Sequence, residues 1–168
     1  MNHFEQLTAE WLQFNGYFVR VGVHVGPRAK GGYEGELDVV GFHPAKAHLV
    51  HIECSLDADN WSARERRFAG KFERGRRYAR DLFSGMDLPE HIDQVALLQF
   101  VSGKRTELAG ARIVTGNGFI NEIMRRLART SPAKSAVPSI LPLIRTLQLA
   151  ASAAKATDDG AAGLLGLG

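Results

Sequence analysis

The chain has 168 residues, 45% of them hydrophobic and 23% charged, with a formal net charge of +3. That length supports one ordinary core and leaves little room for a second domain. A single cysteine, Cys54, excludes an internal disulfide and a cysteine-based zinc cluster. The N-terminus has no basic stretch leading into an apolar one and no apolar run reaches ~18 residues, so a soluble, cytoplasmic protein without a membrane partner is expected.

Residues 3–15 predict a helix: Phe4, Leu7, Trp11 and Phe14 recur at helical spacing, and Gly16 follows as a stop. Glu5 lies beside that stripe in the first turn, where it suits the helix dipole or a capping box with Asn2. Val19, Val21, Val23 and Val25 then alternate with polar residues, which predicts a strand over 17–25. Residues 26–35, with Pro27, Arg28, Lys30, Gly31 and Gly32, read as a turn-rich loop.

Two short strand-like runs come next, residues 35–40 and 47–56, most simply completing an antiparallel meander. They hold Asp38 and Glu53 in otherwise apolar surroundings. Strand alternation puts Asp38 on a face with Glu36 and Val40, and Glu53 on a face with His51 and Ser55. If the strands are neighbours, the carboxylates converge, and two anions in a half-buried sheet repel unless a cation neutralises them. A divalent ion that prefers oxygen ligands, Mg²⁺ or Mn²⁺, answers that need with one or two carboxylates; a salt bridge to a nearby arginine is the structural alternative. His51 shares the Glu53 face, where a lone strand histidine is more often packed than catalytic, and Cys54 points the other way.

Residues 62–65, Ser-Ala-Arg-Glu, read as a capping box for a long helix reaching about residue 83. Residues 61–80 carry eight Lys and Arg against two Glu, a local +6 that leaves the rest of the chain at −3. Arg64, Arg67, Lys71, Arg74 and Tyr78 fall in one row at spacings of three and four. Such a row suits phosphates, and a solvated helix face is the plain alternative. Strands at 94–101 and 111–115 and a helix at 117–129 follow. The strand-helix-strand crossover through the basic helix makes part of the sheet parallel. Residues 131–138 read as a linker, 142–154 as a short helix whose leucines pack on the domain or on a second subunit in a homodimer, and the remainder as a flexible tail. The expected organisation is an α/β domain over 1–130 and a linker, helix and tail over 131–168.

Glu5, the Gly-Glu-Leu-Asp segment ending at Asp38 and the run Ile52-Glu53-Cys54-Ser55 resemble the PD-(D/E)XK nuclease superfamily. The likeness spans about residues 3–127 by order of elements, and its specific part is confined to those segments. It implies a restriction-endonuclease-like αβββαβ core, a central mixed sheet flanked by helices, with Mg²⁺ or Mn²⁺ held by Asp38, Glu53 and Glu5. The family's strand lysine is replaced here by Ser55, which offers a hydroxyl and no charge. Some members carry that lysine on the following helix, where Lys71 is the single lysine, so the expected catalytic set is Asp38, Glu53, Lys71 and Ser55. Arg64, Arg67, Lys71 and Arg74 are the expected contacts to nucleic acid. Two functions follow: a metal-dependent endonuclease acting on DNA, branched or single-stranded forms included, or a catalytically degenerate relative that binds nucleic acid or protein. A cation beside Asp38 and Glu53 separates them.

Overall fold

The first helix, α1 (His3–Phe14), starts at Asn2, whose side chain accepts from the N–H groups of Phe4 and Glu5 while Glu5 reaches back to Asn2, a complete capping box. It ends where Gly16 takes a φ of +85°, a left-handed conformation that an L side chain seldom adopts. The computed structural model of the chain describes residues 2–155. The expected tail beyond residue 155 lies outside the described residues.

Six strands form one mixed sheet among the described residues: β1 (Phe18–Pro27), β2 (Tyr33–His43), β3 (His48–Ser55), β4 (Ile92–Leu98), β5 (Glu107–Leu108) and β6 (Ala111–Thr115). Their spatial order is β1-β2-β3-β4-β6-β5. The first three are an antiparallel meander, and β3 pairs β4 in parallel, as does β4 with β6. The parallel step is made by the basic helix α2 (Trp61–Tyr78), followed by a 3-10 segment, Ala79–Phe83. The two helices lie on opposite faces. Thr8 of α1 touches Cys54 at 3.8 Å, whereas Phe72 of α2 packs edge-on against His51, and these positions alternate along β3.

Two buried clusters hold α2 and its continuation down. Val25, Leu37, Val40, Phe42 and Leu49 meet Ala79 and Phe83, while Phe68 and Phe72 meet Ala96, Leu98, Leu108 and Ala111. Each large side chain so buried contributes about 1.5–3 kcal/mol.

Several boundaries differ from the sequence reading. The loop expected over 26–35 is confined to 28–32, because β1 is an edge strand and tolerates Pro27, which pairs with Tyr33. The cap of α2 is Asn60, whose side chain accepts from Ala63 N–H at 3.0 Å; Glu65 instead receives the N–H of Ala109 at 2.9 Å. The two-residue β5 was not expected.

The chain forms two compact units that divide between Ile120 and Asn121, inside α3 (Gly116–Leu127). The second unit includes α4 (Pro142–Ala153) and is organised around Gln148, which is 1% exposed. Its amide accepts from Val137 N–H at 2.8 Å and donates to Ser135 O at 2.8 Å and Thr130 Oγ1 at 3.3 Å, so a buried polar group is fully used. No helix among the described residues is long and apolar enough to cross a membrane.

Candidate active site

Asp38 and Glu53 meet because of strand register. Val40 pairs with His51 and Val39 with Ile52, so the next step along the antiparallel ladder sets Asp38 opposite Glu53. The ladder stops there. The N–H of Cys54 donates to Asp38 Oδ2 at 2.9 Å, so the aspartate takes up a backbone donor and is aimed by it.

Helix α2 delivers the third group. Phe68 and Phe72 face the sheet, and Lys71 stands on the flank of that apolar stripe. Its ammonium donates to Glu53 Oε2 at 2.5 Å and to both oxygens of Asp38 at 3.1 Å. The remaining oxygen of Glu53 lies 2.8 Å from His51 Nε2. Glu53 and His51 are wholly buried, Asp38 nearly so, and the Lys71 side chain is 23% exposed, which makes it the solvent-facing wall of the cluster.

The charges do not balance. Two carboxylates face one ammonium, and the excess anion is felt by Asp38, which burial and the neighbouring Glu53 push up to about 7 against the pull of Lys71. Burial also works to raise Glu53, but the hydrogen bond and electrostatic pull of His51, and after them the charge of Lys71, outweigh it and bring it down to about 2. For Lys71, burial favours the neutral amine, yet Glu53 and Asp38 win and hold its pKa above the ordinary lysine value. Lys71 is therefore a charged hydrogen-bond donor and not a base near neutral pH. The leftover negative charge and the oxygen donors fit a hard divalent cation. Mg²⁺ usually takes one or two carboxylates, the number that Asp38 and Glu53 supply.

Glu5 is held in the capping box, its two oxygens receiving the backbone N–H of Asn2 at 3.0 Å and the Asn2 amide at 2.6 Å. Ser55 Oγ accepts from Asp57 N–H and Arg67, both at 3.2 Å, and closes the turn after β3. Arg64, expected at the phosphate, is 3% exposed and inside the fold, donating to Phe100 O at 2.9 Å and Asp57 O at 2.5 Å. Arg67 is paired with Asp57 at 2.9 Å and Asp59 at 2.8 Å. Arg74 lies across Gly35 at the edge of an open groove with Arg28, Glu34, Gly70, Glu73 and Arg77, and its buried Nε has no partner among the described residues. The basic row thus runs along the border between helix and sheet.

Two contributors escaped the sequence reading, Gln94 and Gly75. Gly75 is one of two glycines inside α2, with Gly70, and a glycine in a helix interior was the available signal. A methyl group at Gly75 would fall on Nδ1 and Cε1 of His51 and reach Gln94 Nε2 at 2.9 Å. Gly75→Ala is therefore expected to destabilise the protein by roughly 1–3 kcal/mol in denaturant unfolding, although alanine is the better helix former by about 1 kcal/mol. A variant as stable as the wild type would mean that the imidazole has room to move.

Compared with protein-family models, with curated proteins and with solved structures, the chain gave no match in any of the three.

Proposed function

We propose that the chain is a metal-dependent nuclease that hydrolyses phosphodiester bonds in DNA on a restriction-endonuclease-like core of the PD-(D/E)XK kind. The observation that carries this reading is the Lys71 ammonium, within hydrogen-bond distance of both Asp38 and Glu53. Two buried acids call for a counter-ion in any fold, and what favours the catalytic reading is that phosphoryl transfer uses acids, metal and cation at one point. The order of helix, antiparallel meander and parallel crossover agrees with that core.

Asp38 and Glu53 would hold Mg²⁺ or Mn²⁺. When bound, the ion supplies Lewis-acid polarisation of the phosphoryl group and acidifies water. Lys71 holds positive charge at the rim of the cluster, where it can turn from the carboxylates to a phosphate oxygen as negative charge develops there. In hydrolysis the water oxygen bonds to phosphorus while the bond to the leaving sugar oxygen breaks. Since Lys71 keeps its proton, the water's proton passes to solvent and the leaving sugar oxygen takes one from solvent. Of the remaining row, Arg74 is the cation best placed to contact a neighbouring phosphate, beside Arg28 on the β1–β2 turn.

Asp38→Asn and Glu53→Gln keep shape and remove ligand charge, so each is expected to lose Mg²⁺- or Mn²⁺-dependent nicking of plasmid and cleavage of branched or single-stranded DNA while keeping the wild-type circular dichroism. Wild-type cleavage surviving either change would overturn the site assignment.

A further inference from the structure

We propose that His51 is a positioning residue for Glu53, locked by Gln94 into the one tautomer that pins Glu53 Oε1 and leaves Oε2 as the oxygen offered to a cation; this rests on reading Asp38, Glu53 and Lys71 as a metal-dependent nuclease centre. The argument is a chain of donors and acceptors. Arg76 Nη1 donates to Gln94 Oε1 at 2.9 Å, which settles which end of that amide is the oxygen. Gln94 Nε2 is then the donor. It gives one hydrogen to Phe72 O at 2.8 Å and the other to His51 Nδ1 at 3.3 Å. A ring nitrogen that receives a hydrogen bond carries no hydrogen, so the imidazole hydrogen is on Nε2, 2.8 Å from Glu53 Oε1.

The ring cannot easily leave this arrangement. It is wholly buried, edge-on to Phe72 with centroids 5.8 Å apart, and lies under Gly75, the residue that has no side chain to strike it. An unpinned carboxylate could rotate and present either oxygen, or both. With Oε1 held, Oε2 alone faces the Lys71 ammonium at 2.5 Å and is the oxygen that would serve a metal. Outer partners that orient a ligand in this way typically matter about 10–100-fold in metal affinity or activity. Arg76 lies near the far end of the helix and on the side away from Lys71, so the network ties the orientation of a β3 carboxylate to β4 and to the outer face of α2.

Two measurements test it. Long-range ¹H–¹⁵N correlation on metal-free, ¹⁵N-labelled protein is expected to show His51 with a protonated Nε2 and a bare Nδ1; a ring protonated at Nδ1 overturns the proposal. Thermal melting against MgCl₂ is then compared for wild type, His51→Phe, which fills the ring space without a donor, His51→Gln, which returns one, and Gln94→Leu, which releases the tautomer. His51→Phe should need about 10–100-fold more Mg²⁺ for the same rise in Tm, His51→Gln should recover most of that loss, and Gln94→Leu should fall between. Wild-type Mg²⁺ dependence in His51→Phe overturns the proposal. If His51→Phe does not fold, Gln94→Leu decides on the same criterion. A wild type whose Tm ignores Mg²⁺ would instead sink the nuclease reading, and the tautomer signal would still decide whether His51 pins Glu53.

Discussion

Lys71→Met is expected to slow Mg²⁺-dependent DNA cleavage by about 10²–10³ at saturating DNA, with a far smaller loss of DNA affinity. A cation at the scissile phosphate acts mainly as charge develops, so its removal falls on the rate. The same change should weaken the metal-free fold. It leaves Glu53 and Asp38 buried and facing each other, with hydrogen bonds from His51 and the Cys54 N–H as their remaining support among the contacts described above, and breaking a buried ion pair on one side costs about 3–5 kcal/mol. Mg²⁺ can replace the lost charge for stability but not at the phosphate. Denaturant unfolding should therefore recover in Mg²⁺ while single-turnover cleavage does not. Wild-type single-turnover rates in Lys71→Met would show that another group supplies the cation.

The second large effect is on the pH dependence of stability without metal. Asp38 is raised in the fold to about 7 from an ordinary 3.8, so its contribution is present in full below the ordinary value and is lost as pH rises through 7. Glu53, depressed to about 2 from 4.5, behaves oppositely, and its contribution disappears only as pH falls from 4.5 towards 2. Between pH 5 and 8 the Asp38 trend is the one on display. The metal-free protein should lose roughly 2–4 kcal/mol across that window from this residue. Asp38→Asn should flatten the loss, as measured by urea unfolding in EDTA at pH 5, 6.5 and 8. A wild type equally stable at the three values would mean that the carboxylate stays ionised throughout.

Much of the architecture was legible because local rules agreed with one another. The valine alternation of β1, the capping residues of α1 and the apolar runs around Asp38 and Glu53 each named an element, and their order named a mixed sheet. The hairpin was misjudged for a local reason: Gly26, Pro27 and Gly35 look like turn residues, but an edge strand accepts proline, and Gly35 is small because the Arg74 side chain lies across it. The spacing of the basic row was readable, and what it faces was not. Spacing cannot show that two aspartates in the following loop neutralise Arg67, or that backbone carbonyls claim Arg64. Asp38 and Glu53 stood out because an acid in an apolar strand is conspicuous. Gln94 did not, being 43 residues from His51 and of a type that carries no pattern.

The acids sit on strands and the cation on a helix, so the centre depends on docking more than on secondary structure. Sliding α2 by a single turn, about 5.4 Å, would carry Lys71 out of reach while leaving every helical hydrogen bond intact. A loosened, compact state with native helix and strand content would then be inert. If the chain is the nuclease we propose, its cleavage rate would act as a gauge of side-chain packing, failing on mild acid or denaturant before far-ultraviolet circular dichroism registers any change.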